Sequence, residues 1–114
     1  MLSDNYHTSI FSALGEPRRL EIVELISQTG QMSASDISNR FQITSAAISQ
    51  HLKVLREAEV LIMEKQAQKR LYQINPETFG EIQEWAEKMK HTWSTRFNQL
   101  DQLLSKNNKT SSES

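Results

Sequence analysis

The chain contains no cysteine. That excludes a disulfide framework, a thiolate nucleophile and a cysteine-ligated metal, and it fits a reducing compartment without proving one. Glycine is nearly as scarce, at 3 in 114 residues, so no glycine-rich loop of the kind that cradles phosphates is present. Apolar residues never run to the ~18 needed for a membrane span, and no signal-peptide pattern precedes the polar start. The expectation is a cytoplasmic chain with no membrane partner. Neither sign of charge dominates: 13 Lys and Arg stand against 14 Asp and Glu, a net charge of -1. Bulk charge therefore names no partner, and any surface for a polyanion must come from local segregation. Enzyme chemistry is not expected. No carboxylate pair sits isolated in an apolar setting, and His51 has neither a nucleophile nor an orienting acid beside it in its motif.

What is present is helical periodicity, in a length that suits one small domain. Residues 6–14, "YHTSIFSAL", carry Tyr6, Ile10, Phe11 and Leu14 on one face. Gly15 ends that helix and Pro17 suits the first turn of the next. "PRRLEIVELIS" turns Leu20, Ile22, Val23, Leu25 and Ile26 inward and Arg18, Arg19, Glu21 and Glu24 outward, and Gly30 closes it. "SASDISNRF" opens on Ser33 with Asp36 three places later, close to a capping box, and has Ile37 and Phe41 as a short apolar stripe. Thr44 can cap the helix that follows.

The period then changes. "VLIMEK" and "RLYQI", joined by "QAQ", read as a two-stranded hairpin, although no Gly or Asn marks the turn. "NPETFGEIQEW" restarts a helix with Asn75 as cap and Pro76 at its first position. Ile82, Trp85, Met89, Trp93, Phe97, Leu100 and Leu104 continue it in steps of three and four. "SKNNKTSSES" is polar and low in complexity, so residues 1–104 are expected to form the domain and 105–114 a disordered tail.

Helix, helix, short helix, helix, hairpin, long helix is the order of a winged helix-turn-helix, mainly α with a small β-hairpin wing. The fourth helix carries the sharper signal. In "ITSAAISQHLKVLREAEVL", Ile48, Leu52 and Leu55 face a core, and Ser45, Ala46, Ser49, Gln50 and Lys53 fall on the other side. Small side chains near the N-terminus let a helix approach base edges and phosphates in a major groove, where its N–H groups add positive partial charge. Lys53 and Arg56 follow a turn or two later, within reach of backbone. Residues 40–70 hold six cations (Arg40, Lys53, Arg56, Lys65, Lys69 and Arg70) against Glu57, Glu59 and Glu64, a local charge of +3 in a chain of -1. Phosphate binding requires such segregation.

These stretches resemble the ArsR family of bacterial winged-helix repressors. "SALGEPRRLEIVELI" is similar to the opening of that family's second helix, "ISQHLKVLREAEVL" to its recognition helix and "EKQAQKRLYQINP" to its wing; the resemblance covers roughly residues 8–100. "SQHLKVLREA" is its most specific part. The ending "EWAEKMKHTWSTRFNQLDQLL" resembles a subgroup with a Trp-bearing long last helix and no recognised metal site. The resemblance implies a double-stranded DNA partner, a nucleoid-associated location and no cofactor. It also implies that Ser45, Ala46, Ser49, Gln50 and His51 approach bases or phosphates, with Thr44, Lys53 and Arg56 at the backbone and Lys69 and Arg70 at the wing tip. Two departures stand out. The family usually has Gly where Glu59 stands, so Glu59 either takes up a left-handed conformation or ends the helix differently. The wing turn "QAQK" also lacks the family's usual Gly.

Metal sensing is the first rival. The third-helix site of metal-responsive relatives needs a cysteine cluster, which "SASDISNRF" does not offer, and the last helix has one histidine, His91, with Glu87 a turn before it. Asp4 and His7 would have to join them to approach the three or four ligands a stable zinc site wants. A second rival is a protein-interaction module that keeps the fold without DNA binding; an acidic recognition face would mark it, and this one is neutral to basic. The stripe Trp85, Trp93 and Phe97 reads as core and interface, with an effector pocket between subunits as the sharper alternative. A homodimer through the first and last helices is expected, using Ile10, Phe11, Trp85, Met89, Trp93, Phe97 and Leu100, because Trp rarely disappears into so small a core. No inducer is named by these residues, so a small-molecule effector is left open.

Overall fold

The computed structural model describes the backbone of residues 4–113 and the side chains of residues 7–105. The Asp4 and Tyr6 side chains named above, and those of the polar C-terminal stretch beyond Ser105, lie outside them. The chain runs α1 (Asp4–Leu14), α2 (Pro17–Thr29), β1 (Met32–Ser33), α3 (Ala34–Phe41), α4 (Ser45–Glu57), β2 (Leu61–Gln66), β3 (Lys69–Ile74) and α5 (Pro76–Glu113). This is a winged helix-turn-helix. Among the described residues no helix is long and apolar enough to cross a membrane.

The chain divides into two compact units, residues 1–79 and 80–114, where one domain over 1–104 was expected. In the first unit each helix is set by a local device. Glu16 caps α2 by accepting from the Arg19 amide at 2.9 Å, Pro17 occupies the first turn, and Gly30 stops the helix at φ 92° while donating to the Ile26 carbonyl at 2.7 Å. Arg19 reaches back with Nε to the Ala13 carbonyl at 2.7 Å, satisfying an end group of α1. Ser33 caps α3 through the Asp36 amide at 3.1 Å, and Thr44 caps α4 through the Ala47 amide at 3.1 Å. Between those two helices Gln42 takes the left-handed conformation (φ 55°, ψ 39°), and Ser38 Oγ donates to the Ile43 carbonyl at 2.8 Å, pinning the turn.

The end of α4 resolves the question at Glu59. Its φ is 61°. The Val60 amide donates to the Leu55 carbonyl at 2.9 Å and the Glu59 amide to the Arg56 carbonyl at 2.9 Å, the two bonds of a Schellman motif, with buried Leu55 and Val60 as its apolar pair. Glu59 carries the left-handed strain. The strands form a three-stranded antiparallel sheet in the order β1-β3-β2. Met32 opposes Tyr72, which opposes Met63 on its other side. Gln66 pairs with Lys69, leaving a two-residue turn in which Ala67 has φ 54°. A positive φ at the first turn residue alone is the type II′ pattern, for which glycine is the usual occupant.

The core of this unit is aliphatic: Ile10, Ile22, Ile26, Ile37, Ile48, Leu52, Leu55 and Leu61 are all at most 2% exposed. Each such side chain stabilises the fold by about 1.5–3 kcal/mol relative to exposure. Two expectations are corrected here. Ile10, assigned to a dimer seam, is 0% exposed and lies in the core, because α1 packs on α2 and α4 and uses that residue itself. Leu20, assigned inward, is 42% exposed: Ile22, Val23 and Ile26 take the buried arc of α2 and leave it at the rim. Strand β1 was not foreseen at all.

The second unit is the continuation of α5, which proceeds helically through Glu113. That replaces the tail expected from residue 105. Beyond Gly80 no Gly or Pro interrupts the helix, and a polar composition does not by itself break one. Trp93, Phe97, Leu100, Leu103 and Leu104 are 49–61% exposed, and the Trp93 and Phe97 rings lie 5.8 Å apart, tilted by 36°.

Candidate nucleic-acid interface

Helix α4 divides as its spacing requires. Ile48, Leu52 and Leu55 are buried, while Ser45, Ala46, Ser49, Gln50, Lys53 and Arg56 are exposed. The first turn thus presents small side chains and hydroxyls, together with the N–H groups that a helix start leaves unsatisfied. Thr44 is exposed too; its oxygen accepts the Ala47 amide, which leaves its own proton free to point outward. His51 stands apart from this face. It is half-buried, and its Nδ1 lies 3.9 Å from Oε2 of Glu16, the residue that caps α2. The structure therefore brings Ser45, Ala46, Ser49 and Gln50 together and turns His51 toward the body of the unit.

The wing adds charge. Lys69 and Arg70 open β3 directly after the turn, and both are exposed. Lys65 is the cross-strand partner of Arg70, a like-charge pairing that destabilises a hairpin unless an anion offsets it. Neither of the two ion pairs among the described residues, Arg18–Glu21 and His51–Glu16, involves a lysine or arginine of α4 or the wing. A cleft of about 500 Å³ opens between α4 and β3, lined by Ser49, Lys53, Arg56, Glu57, Arg70 and Tyr72. Three cations share it with one carboxylate.

Tyr72 is the residue that sequence reasoning missed. It was read as a strand residue and no more, although Arg70 and Tyr72 are two apart on one strand and must face the same side. Lys69 alternates to the other side, and the smaller hollow it borders with the start of α3, at Ser33, Ala34 and Asp36, is also reached by Arg70 at the end of the wing. Among the described residues no three His, Asp or Glu side chains converge as a metal site would require.

A family model described as "Bacterial regulatory protein, arsR family" matches residues 16–62, from the cap of α2 to the start of β2. The transcriptional repressor SdpR of Bacillus subtilis is 32% identical over 77 residues, covering 68% of this chain and 84% of that protein. An arsenical resistance operon repressor of Staphylococcus xylosus is 36% identical over 70 residues, 61% of this chain and 66% of that one. An ArsR-like transcriptional regulator from Rhodococcus sp. RHA1 shares the fold with a TM-score of 0.76 over 87% of this chain and 92% of that one, at 22% identity. The capped turn between α3 and α4, the bare face of α4 and the hairpin after it all fall within or beside the matched span, and the chain belongs to the arsR family of bacterial regulatory proteins.

Proposed function

We propose that the protein is a repressor that binds a palindromic operator as a homodimer and acts by occupying it, in the cytoplasm and at the nucleoid. The observation that carries this reading is the cluster of Lys53, Arg56 and Arg70, exposed and without an ion pair, beside the bare first turn of α4. Cations left unpaired around one concavity, in a chain with a net charge of -1, suit a polyanion. Ser45, Ala46, Ser49 and Gln50 would read base edges in the major groove; Thr44, Lys53, Arg56, Lys69 and Arg70 would hold the backbone. His51 is better placed to orient α4 through Glu16 than to read DNA.

The dimer rests on α5 with a contribution from Phe11. Along α5, Trp85, Met89, Trp93, Phe97 and Leu100 are each 38–58% exposed, an apolar set larger than a soluble surface usually leaves open, and Phe11 on α1 is 38% exposed. A two-fold pairing would cover both copies at once and present two α4 helices to successive major grooves. Relatives named as arsenical resistance repressors favour a metal-responsive reading, but a chain with no cysteine lacks the thiolates for arsenic and soft metals. The direct test is fluorescence anisotropy of labelled duplex DNA against salt. Affinity that falls steeply and log-linearly with salt is the expected result; binding that is absent, or indifferent to salt, would remove the DNA reading.

A further inference from the structure

The cleft between α4 and the wing holds a neutral donor among its cations. Tyr72 is 5% exposed, its hydroxyl has no hydrogen-bond partner among the described residues, and it opens on the cleft. Water can complete that hydroxyl in the free protein, and a ligand oxygen entering the cleft can take the water's place. Around it stand Lys53 and Arg56 from α4, Arg70 from β3 and the Ser49 hydroxyl. All are donors, and among the described residues none of the three cations has a carboxylate within ion-pair distance. Lys65 opposite Arg70 raises the positive potential of the wing further. Glu57 is the one carboxylate in the lining, so the charge of the cleft is that of three cations less one.

We propose that this cleft is a seat for a single phosphate group, gripped by the recognition helix and the wing together, with the Tyr72 hydroxyl as its innermost donor. The inference rests on the DNA-binding reading for the source of that phosphate but not for the seat itself. A tetrahedral anion accepts from several directions at once, which suits an ammonium, two guanidinium forks and two hydroxyls converging from two elements. A flat carboxylate would leave part of that donor set unused. Sharing one phosphate between α4 and β3 also fixes the wing relative to the recognition helix when the seat is filled, so the two elements engage the backbone as one body.

Tyr72→Phe keeps the buried ring and removes only the donor. We expect it to melt like the wild type and to bind a mixed-sequence duplex about 3- to 10-fold more weakly, since one hydrogen bond is lost. The salt slope should be unchanged because no charge is lost. In an Arg70→Ala background the same change should have less than about a twofold effect, because the phosphate is no longer held against Tyr72. Inorganic phosphate titrated into DNA-free protein at constant ionic strength supplies the second arm, read by NMR at the Arg56 and Arg70 Nε resonances. Saturable shifts there that chloride does not reproduce support the seat with free phosphate as an occupant. A Tyr72→Phe defect on DNA without such shifts supports it with the DNA backbone as the occupant. The proposal is overturned if Tyr72→Phe binds duplex as tightly as wild type and phosphate moves nothing that chloride does not. Were the wild type to ignore duplex DNA altogether, the DNA reading would fall, and the phosphate titration would still decide the seat.

Discussion

Thr78 Oγ1 donates to the carbonyl of Glu59 at 2.6 Å, and Asn75 Nδ2 donates to the same oxygen at 3.0 Å. The first turn of α5 thus holds in place the residue that ends the recognition helix in a left-handed conformation. Glycine adopts that conformation without the steric penalty that Glu59 pays. Glu59→Gly should therefore raise unfolding free energy by about 1 kcal/mol, and Thr78→Val, which takes a donor from a buried site, should lower it by about 1–2 kcal/mol. Urea denaturation of both variants measures each value; a destabilised Glu59→Gly would mean that the Glu59 side chain contributes something its φ conceals.

Gln50 is exposed on α4 and can both donate to and accept from adenine. Gln50→Ala should relax base preference at one position in each half-site and cost on the order of 1–3 kcal/mol. Arg56→Ala or Lys69→Ala should instead weaken binding to all sequences alike and lower the salt slope by about one. A mismatch scan of bound duplexes separates the two behaviours, and a Gln50 variant with wild-type preferences would leave the set of base-reading residues.

Zn(II), Cd(II), As(III) and Cu(I) should leave the protein on DNA at low micromolar concentration. The chain offers no thiolate, and no three His, Asp or Glu side chains of the described residues gather at one point. Release at stoichiometric metal, reversed by a chelator in a gel-shift assay, would point instead to His91 with Glu87.

Trp93 is 58% exposed on the single chain, against the Phe97 ring. If α5 pairs with its copy, Trp93→Asp places a carboxylate in an apolar seam at a cost of several kcal/mol. Sedimentation at micromolar concentration should then show monomer, and DNA affinity should fall further than for any single contact variant. A dimeric Trp93→Asp protein with normal DNA binding would put the seam elsewhere.

What was legible in the sequence follows the range of the interaction that fixes each feature. Ser33, Thr44 and Gly30 work on amides or carbonyls within four residues of themselves, and each was read correctly as a cap or stop. The hairpin strands and the bare face of α4 were equally plain, because periods of two and 3.6 are local properties. Burial is not local. Periodicity shows that Ile10 and Leu20 lie on apolar arcs, but only packing decides that the first is core and the second rim. Strand β1 is two residues whose partner lies far along the chain, so nothing near Met32 announces it. The surroundings of His51 and Tyr72 were illegible for the same reason: Glu16 stands beside one and α4 lines the cleft beside the other, and neither neighbour is near in sequence.

The pairing of Met32 with Tyr72 closes a loop of about 40 residues that contains α3, α4 and β2. Everything proposed to touch DNA up to the wing turn is strung between these two anchor points. Closing a loop of that length costs about 3 kcal/mol in chain entropy beyond a constant, and the cost grows only slowly with length. The enclosed segment can therefore change length at its surface turns at little expense, whereas a change at the two-residue clasp of β1 acts on the whole loop. Met32 and Ser33, neither of them among the residues proposed to touch DNA, thereby help to hold the reading elements as one closed ring.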